Sequence, residues 1–260
     1  MDLGLVGKTA VVTGGSEGIG RAIVEALVRE GCDVAIGARR PDVLERAAEE
    51  IGEASGRKVV AIPTDVSDPA RAEAFVNAAA ETLGRLDILV NNAGRSAAHR
   101  FEDADDRVWD EDLQLKLYGA IRCTRAALPH MRAVGGGSIV NVTTVGGKQP
   151  GVASVPTSVS RAAGIALTKA LSKDYVAENI RVNTVMVGSI RSMQTVRRWE
   201  REAAGISLEE HYEREGRRLP MGRYGRAEEV ADLVAFLVSP RAGYITGTAV
   251  AVDGGAGAVI

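Results

Sequence analysis

Eight consecutive residues near the amino end, Thr13-Gly14-Gly15-Ser16-Glu17-Gly18-Ile19-Gly20, have the composition and spacing of a phosphate-binding turn. They follow a short apolar run, Thr9-Ala10-Val11-Val12, and open a stretch in which Ile19, Ile23, Ala26 and Leu27 share one helical face. Glycines between a strand and a helix permit the tight turn and let the backbone approach a pyrophosphate, whose charge the helix N-terminus favours. The chemistry is therefore dinucleotide binding. About twenty residues further on, a carboxylate would accept hydrogen bonds from a free ribose 2′-hydroxyl, whereas an arginine would welcome a 2′-phosphate. The chain reads Ile36-Gly37-Ala38-Arg39-Arg40 there. Planar guanidinium groups suit phosphate, so NADP(H) is the preferred cofactor, with NAD(H) possible. The bland alternative for Arg39 and Arg40 is an exposed pair at a helix entry.

The elements that must position these residues recur along the whole chain. Strands are expected at Thr9–Val12, Asp33–Ile36, Val59–Ile62, Leu86–Val90, Ser138–Val142, Val182–Val187 and Ala249–Val252. Stretches rich in Ala, Leu, Glu and Arg lie between most of them, among them Pro41–Ile51, Pro69–Leu83 and Trp109–Met131. This alternation predicts βαβ units and one α/β domain of Rossmann type: a doubly wound parallel sheet with ligands at the carboxyl ends of its strands. The length of 260 residues suits a single such unit.

Bulk properties narrow the class. Hydrophobic residues make up 45% and charged residues 25%, near the soluble globular average, and the net charge is −2. Neither nucleic acid nor an anionic membrane is an expected partner. Cys32 and Cys123 lie far apart in apolar stretches, which fits buried thiols in a reducing cytoplasm. His99 and His130 are isolated, so no metal site is expected. One segment departs from the pattern. Over 189–220 apolar content falls and charge crowds in, as in Arg197-Arg198-Trp199-Glu200-Arg201-Glu202 and Glu209-Glu210-His211-Tyr212-Glu213-Arg214.

Taken with Asp65-Val66, Asn91-Asn92-Ala93-Gly94, Ile180-Arg181-Val182-Asn183 and the closing Val252-Asp253-Gly254-Gly255, the glycine loop resembles that of the short-chain dehydrogenase/reductase family, over essentially the whole chain. The resemblance implies that Gly14, Ser16, Gly18, Ile19 and Gly20 line the pyrophosphate and ribose. It implies that Asp65 and Val66 hold the adenine edge, and that Asn91, Ala93 and Gly94 border the adenosine ribose and the nicotinamide side. The family's Pro-Gly after the sixth strand stands here as Val187-Gly188, and Ile190 matches a backbone contact to the carboxamide. Glu17 occupies a loop position where many NADP-preferring relatives carry a basic residue. The segment 189–220 becomes a lid over the substrate pocket, although Arg197 and Arg198 are expected to face solvent.

The family's proton-transfer residues are all replaced. Its serine, tyrosine, lysine and helix asparagine map without gaps to Thr144, Thr157, Arg161 and Lys116, and no Tyr-x-x-x-Lys occurs in the sequence. Thr144 keeps a hydroxyl to polarise a carbonyl. Arg161, one helical turn from position 157, keeps a cation able to grip a ribose diol. Thr157 is the damaging change, because an aliphatic hydroxyl is too weak an acid to replace a tyrosine. Lys116 is either a substitute acid or a structural cation paired with Asp112 one turn back. Lys148 and His211 are expected at the surface, and Ser160 lacks a histidine–carboxylate relay.

Three functions are compatible with these residues. The first is an NADP(H)-dependent oxidoreductase acting on a small-molecule carbonyl, hydroxyl or activated alkene. The second is a cofactor-binding pseudoenzyme. The third, ranked last, is a lyase similar to the halohydrin dehalogenases, which keep the tyrosine and surrender the glycine loop. The resemblance also implies a homo-oligomer, tetramer or dimer, through Leu113–Met131 and the ending Tyr244–Ile260.

Overall fold

The computed structural model describes residues 1–203 and 205–259. Ala204, inside the expected lid, and Ile260, at the end of the expected interface segment, lie outside the described residues.

Nine strands alternate with nine α-helices among the described residues. The strands are β1 (Thr9–Thr13), β2 (Asp33–Ala38), β3 (Val59–Pro63), β4 (Ile88–Asn91), β5 (Ala98–His99), β6 (Gly137–Thr144), β7 (Val155–Pro156), β8 (Ile180–Val187) and β9 (Ala249–Val252). The helices are α1 (Gly18–Arg29), α2 (Pro41–Ser55), α3 (Pro69–Leu83), α4 (Asp106–Leu113), α5 (Gly119–Ala133), α6 (Thr157–Tyr175), α7 (Met193–Glu202), α8 (Leu208–Gly216) and α9 (Ala227–Val238). Seven strands form one parallel sheet in the order β3-β2-β1-β4-β6-β8-β9. The expected doubly wound α/β sheet is therefore present.

Side chains alternate across this sheet, so neighbours feed opposite cores. Val12, Ile36, Val90 and Val140 pack with Ile23 and Leu27 of α1 and Val230 and Val234 of α9. Val11, Ala35, Leu89 and Ile139 pack with Phe75 and Val76 of α3 and Ala127 and Met131 of α5. Both Cys32 and Cys123 are buried free thiols in these cores, and burial pushes each up to about 12.

Two departures from the expected elements matter for the site. The stretch Trp109–Met131 is not one regular helix: α4 and α5 join through a π-turn, Gln114–Tyr118, which carries Lys116. Such turns insert a residue and re-aim the side chains beyond it. The short ribbon β5–β7, antiparallel and apart from the main sheet, was not anticipated. It ties the loop after β4 to the residue preceding Thr157, the first residue of α6.

Candidate active site

The carboxyl ends of β1 to β4 open onto a cleft of about 520 Å³. Gly14, Ser16, Gly18, Ile19, Gly20, Arg39, Asp65, Val66, Ala93 and Gly94, named above from the sequence, all line it. Gly14 and Gly18 have φ of 67° and 55°, in the left-handed region that favours glycine. A Cβ on Gly14 would meet the Asn92 amide at 3.1 Å and the Ala93 backbone at 3.2 Å, and one on Gly20 would overlap the Gly14 carbonyl oxygen. Asn92 fastens the loop by donating from Nδ2 to the carbonyls of Thr13 and Gly14 at 3.0 and 3.1 Å. The first-turn amides of α1 lack intrahelical acceptors, so the helix presents donors and the positive end of its dipole to this cleft. A cradle of bare backbone and unused donors fits a dinucleotide pyrophosphate.

Charge around the adenosine end is arranged asymmetrically. Glu17 forms an ion pair with Arg40. Arg39, exposed on the cleft wall, has no hydrogen-bond or ion-pair partner among the described residues. The Asp65 carboxyl is held below its usual range: burial opposes ionisation, but hydrogen bonds from Ser67 and the charges of Arg39 and Arg71 outweigh it.

A second wall comes from the far end of the sequence. Ser192, Met193, Gln194 and Arg197, at the start of α7, line the same cleft. Ser192 and Thr195 form a reciprocal capping box that fixes where α7 begins. The Gln194 side-chain oxygen accepts a hydrogen bond from the Ser96 amide at 3.1 Å, bridging α7 to the loop after β4. Helix α8 braces α7: the Arg191 guanidinium lies 4.6 Å from the Tyr212 ring centre and pairs with Glu209 at 2.7 Å, while the Tyr212 hydroxyl meets Thr195 at 3.0 Å. Trp199 packs and donates to the Ile206 carbonyl at 2.9 Å. Arg198 pairs with Glu202, but Arg197 faces the cleft rather than only solvent, and like Arg39 has no partner among the described residues. The sequence carried no signal for this, because α7 lies about 170 residues from the glycine loop it covers.

Three of the four replaced positions, Lys116, Thr157 and Arg161, come together. Thr157, Ser160 and Arg161 recur at three and four residues along the first turns of α6, on one face. Lys116, with a side chain fully excluded from solvent, forms an ion pair with the equally buried Asp112 and donates to Thr157 Oγ1 at 2.7 Å. Thr157 Oγ1 also accepts from the Ala97 amide at 2.9 Å. The second Asp112 oxygen accepts from Ser160 Oγ at 2.6 Å. The structural reading of Lys116 is therefore met by its pairing with Asp112, and the same ammonium also contacts residue 157. Burial, then the neighbouring Arg161 charge, pushes Lys116 down to about 8 against the opposing effect of Asp112.

Arg161 runs beneath this cluster toward the cofactor cleft. Its Nη1 donates to the Val142 carbonyl at 2.8 Å, and its Nη2 would lie 2.6 Å from a Cβ on Gly94, so a side chain there would push the guanidinium aside. Burial pushes Arg161 down to about 10. Behind it is a cavity of about 20 Å³, the size of one water, bordered by Asn91, Thr143 and Arg161. Asn91 Oδ1, Thr143 Oγ1 and Arg161 Nε are all buried without a partner among the described residues. Thr144 closes β6 and is partly exposed.

Several expected residues stand elsewhere. Asn91 is buried behind the cleft, donating to Thr124 and Asn141 at 3.2 and 2.9 Å. Gly188 and Ile190 do not line the cleft: Gly188 donates to the Val252 carbonyl at 3.0 Å and Ile190 is buried in the core, so together they set the turn leading to Ser192. His211 is not at the surface but buried in α8, its Nδ1 without a partner among the described residues. Ser160, dismissed for want of a relay, is buried against Asp112. Its spacing from Thr157 and that of Asp112 from Lys116 were the signals that could have placed both in one cluster.

Comparison with known proteins extends over the same residues. A family model described as enoyl-(acyl carrier protein) reductase matches residues 14–257. Oxidoreductase UcpA of Escherichia coli K12 is 34% identical over 254 residues, covering 96% of this chain and 95% of its own. The L-sorbose reductase of Gluconobacter frateurii, solved with NADPH and L-sorbose, is 33% identical with a TM-score of 0.95 over 100% of both chains. A short-chain oxidoreductase of Pseudomonas aeruginosa PAO1, solved with NADPH and described as containing an atypical catalytic center, is 35% identical with a TM-score of 0.91, covering 98% of this chain and 99% of that one.

Proposed function

Because the chain belongs to the short-chain dehydrogenase/reductase family, we propose that it is an NADP(H)-dependent oxidoreductase interconverting a small carbonyl compound and its alcohol, or reducing an activated alkene. The observation that carries this is the division of charge at the adenosine end. Arg40 occupies Glu17, the residue that argued against a 2′-phosphate, and Arg39 on the cleft wall is left without a partner among the described residues. The solved relatives with bound NADPH point the same way.

Gly14, Ser16, Gly18, Ile19 and Gly20 would hold the pyrophosphate, with Arg39 on the 2′-phosphate and Arg197 adding positive charge from above. Asp65 and Val66 would hold the adenine edge, and Ala93, Gly94 and Arg161 the nicotinamide half. Bound there, the reduced nicotinamide supplies a hydride to an electrophilic carbon. Thr144 would polarise the acceptor oxygen and Thr157 would face it. The segment 189–220 would serve as lid, with Gln194 as its latch on Ser96. We further propose a cytoplasmic homo-oligomer, dimer or tetramer, to which the fully exposed Tyr244 ring would contribute.

A pseudoenzyme remains the competing reading, and the observation favouring it is the threonine at position 157. Equilibrium titration with NADPH and NADH, on wild type and Arg39→Ala, tests the cofactor assignment. NADPH-selective binding lost in the variant supports it; equal binding of both, or of neither, defeats it.

A further inference from the structure

The hydrogen bonds converging on Thr157 give it a role that its own acidity denies it. Its oxygen has two lone pairs and one proton. Lys116 Nζ at 2.7 Å and the Ala97 amide at 2.9 Å take both lone pairs. The proton must therefore point elsewhere. Inside the protein its nearest acceptor is Asp112 Oδ1 at 3.5 Å, well beyond the 2.5–3.0 Å of a good hydroxyl hydrogen bond. Asp112 is committed instead to Lys116 and Ser160. Asp112, Lys116 and Ser160 are buried, whereas Thr157 is partly exposed and joins Lys116 to the open side of the cluster.

We propose that Lys116 and Thr157 form a proton relay, in which the Thr157 hydroxyl passes its proton to the substrate oxygen while the Lys116 ammonium re-protonates Thr157 Oγ1. This rests on the oxidoreductase reading above. As hydride adds to the carbonyl carbon, the π pair settles on oxygen. That oxygen bonds the Thr157 proton, the O–H bond of Thr157 breaks, and a new one forms with a proton from Lys116 Nζ. Lys116 is left as a neutral amine and is re-protonated from solvent after product leaves. No free threonine alkoxide is formed, so the high pKa of an aliphatic hydroxyl ceases to matter. The acid strength belongs to Lys116. Asp112 from α4, Arg161 from α6 and Arg95 from the loop after β4 are the charged groups acting on it. Asp112 favours its protonated form; burial and the two arginines favour proton release.

The relay has a signature that needs no substrate. With selectively labelled lysine, the Lys116 side chain is read by NMR among the chain's few lysines (Lys8, Lys58, Lys116, Lys148, Lys169 and Lys173). It should titrate near 8 in the wild-type protein. Thr157→Val removes an acceptor of the ammonium and should move the midpoint lower, and Thr157→Ser should restore it. An ordinary lysine value of about 10.4, or a midpoint blind to Thr157→Val, overturns the relay.

The kinetic arm uses NADPH-dependent reduction of a panel of ketones. Thr157→Val should lower kcat by about 10²–10⁴-fold, the usual worth of a positioned proton donor, with NADPH affinity unchanged; Thr157→Ser should keep most of the rate. The double variant Lys116→Met with Asp112→Asn, which leaves no unpaired buried charge, should match Thr157→Val. Reduction in the wild type should decline as pH rises through about 8, where Lys116 loses its proton, and alcohol oxidation should rise over the same window. A Thr157→Val enzyme with full rate defeats the relay alone. Wild-type protein that binds NADPH yet reduces neither ketones nor activated alkenes defeats the oxidoreductase reading beneath it.

Discussion

The glycine-loop cleft and the buried cluster of Asp112, Lys116, Thr157 and Ser160 are linked where Arg161 lies against Gly94, but they are built on opposite plans. The cleft presents left-handed glycines, first-turn amides and two arginines, Arg39 and Arg197, that have no partner among the described residues. The pocket is made of side chains that satisfy one another, with Asp112 holding Lys116 and Ser160 and Lys116 holding Thr157. Unpaired groups on an open surface lie in water until a ligand arrives, so they add affinity and little stability. A closed buried network is the reverse, because removing one member strands the others out of water. Substitutions in the two regions should therefore fail in different ways.

The largest separation comes from Asp112→Ala. It leaves Lys116 buried and unpaired, and should cost on the order of 3–5 kcal/mol of folding stability, read as a lowered urea midpoint. A variant as stable as wild type would mean that the pocket is wet. Arg39→Ala should leave stability unchanged. It should weaken NADPH binding about 10–100-fold, the worth of one or two charge-assisted hydrogen bonds, with NADH binding unaffected. Equal losses for both cofactors would sharpen Arg39 into a general anion contact. Arg197→Ala, on the exposed lid, should weaken NADPH binding only roughly two- to five-fold. The subtlest outcome is crystallographic. At high resolution one ordered water should bridge Arg161 Nε, Asn91 Oδ1 and Thr143 Oγ1, tying the two regions together; a direct contact among these atoms would remove that tie.

How each region reads in the sequence follows from the same contrast. A backbone site is local, and the Thr13–Gly20 turn and Arg39 lie within a strand, a turn and the next strand, so their spacing exposed them. The sheet was equally legible, because its central strands are buried on both faces and its strands read as short apolar runs, with Thr9–Val12 lengthened only by Thr13. The pocket joins Asp112, Lys116, Thr157 and Ser160 across α4, a π-turn and α6. Each of these residues has an ordinary reading alone, and Ser160 was set aside for that reason. The π-turn has no compositional mark, so Trp109–Met131 looked like one regular helix. Arg197 and Gln194 were hidden by distance along the chain from the glycine loop.

The most direct measurement is transfer of deuterium from NADPH labelled at the nicotinamide C4 to a panel of ketones and enones, followed by mass spectrometry of the products. Label should appear in product with the wild type and with Thr157→Ser, and should all but vanish with Thr157→Val under saturating NADPH. Saturable NADPH binding with no label in any product would contradict the oxidoreductase assignment, and leave the cleft as the binding site of a protein that does no redox chemistry.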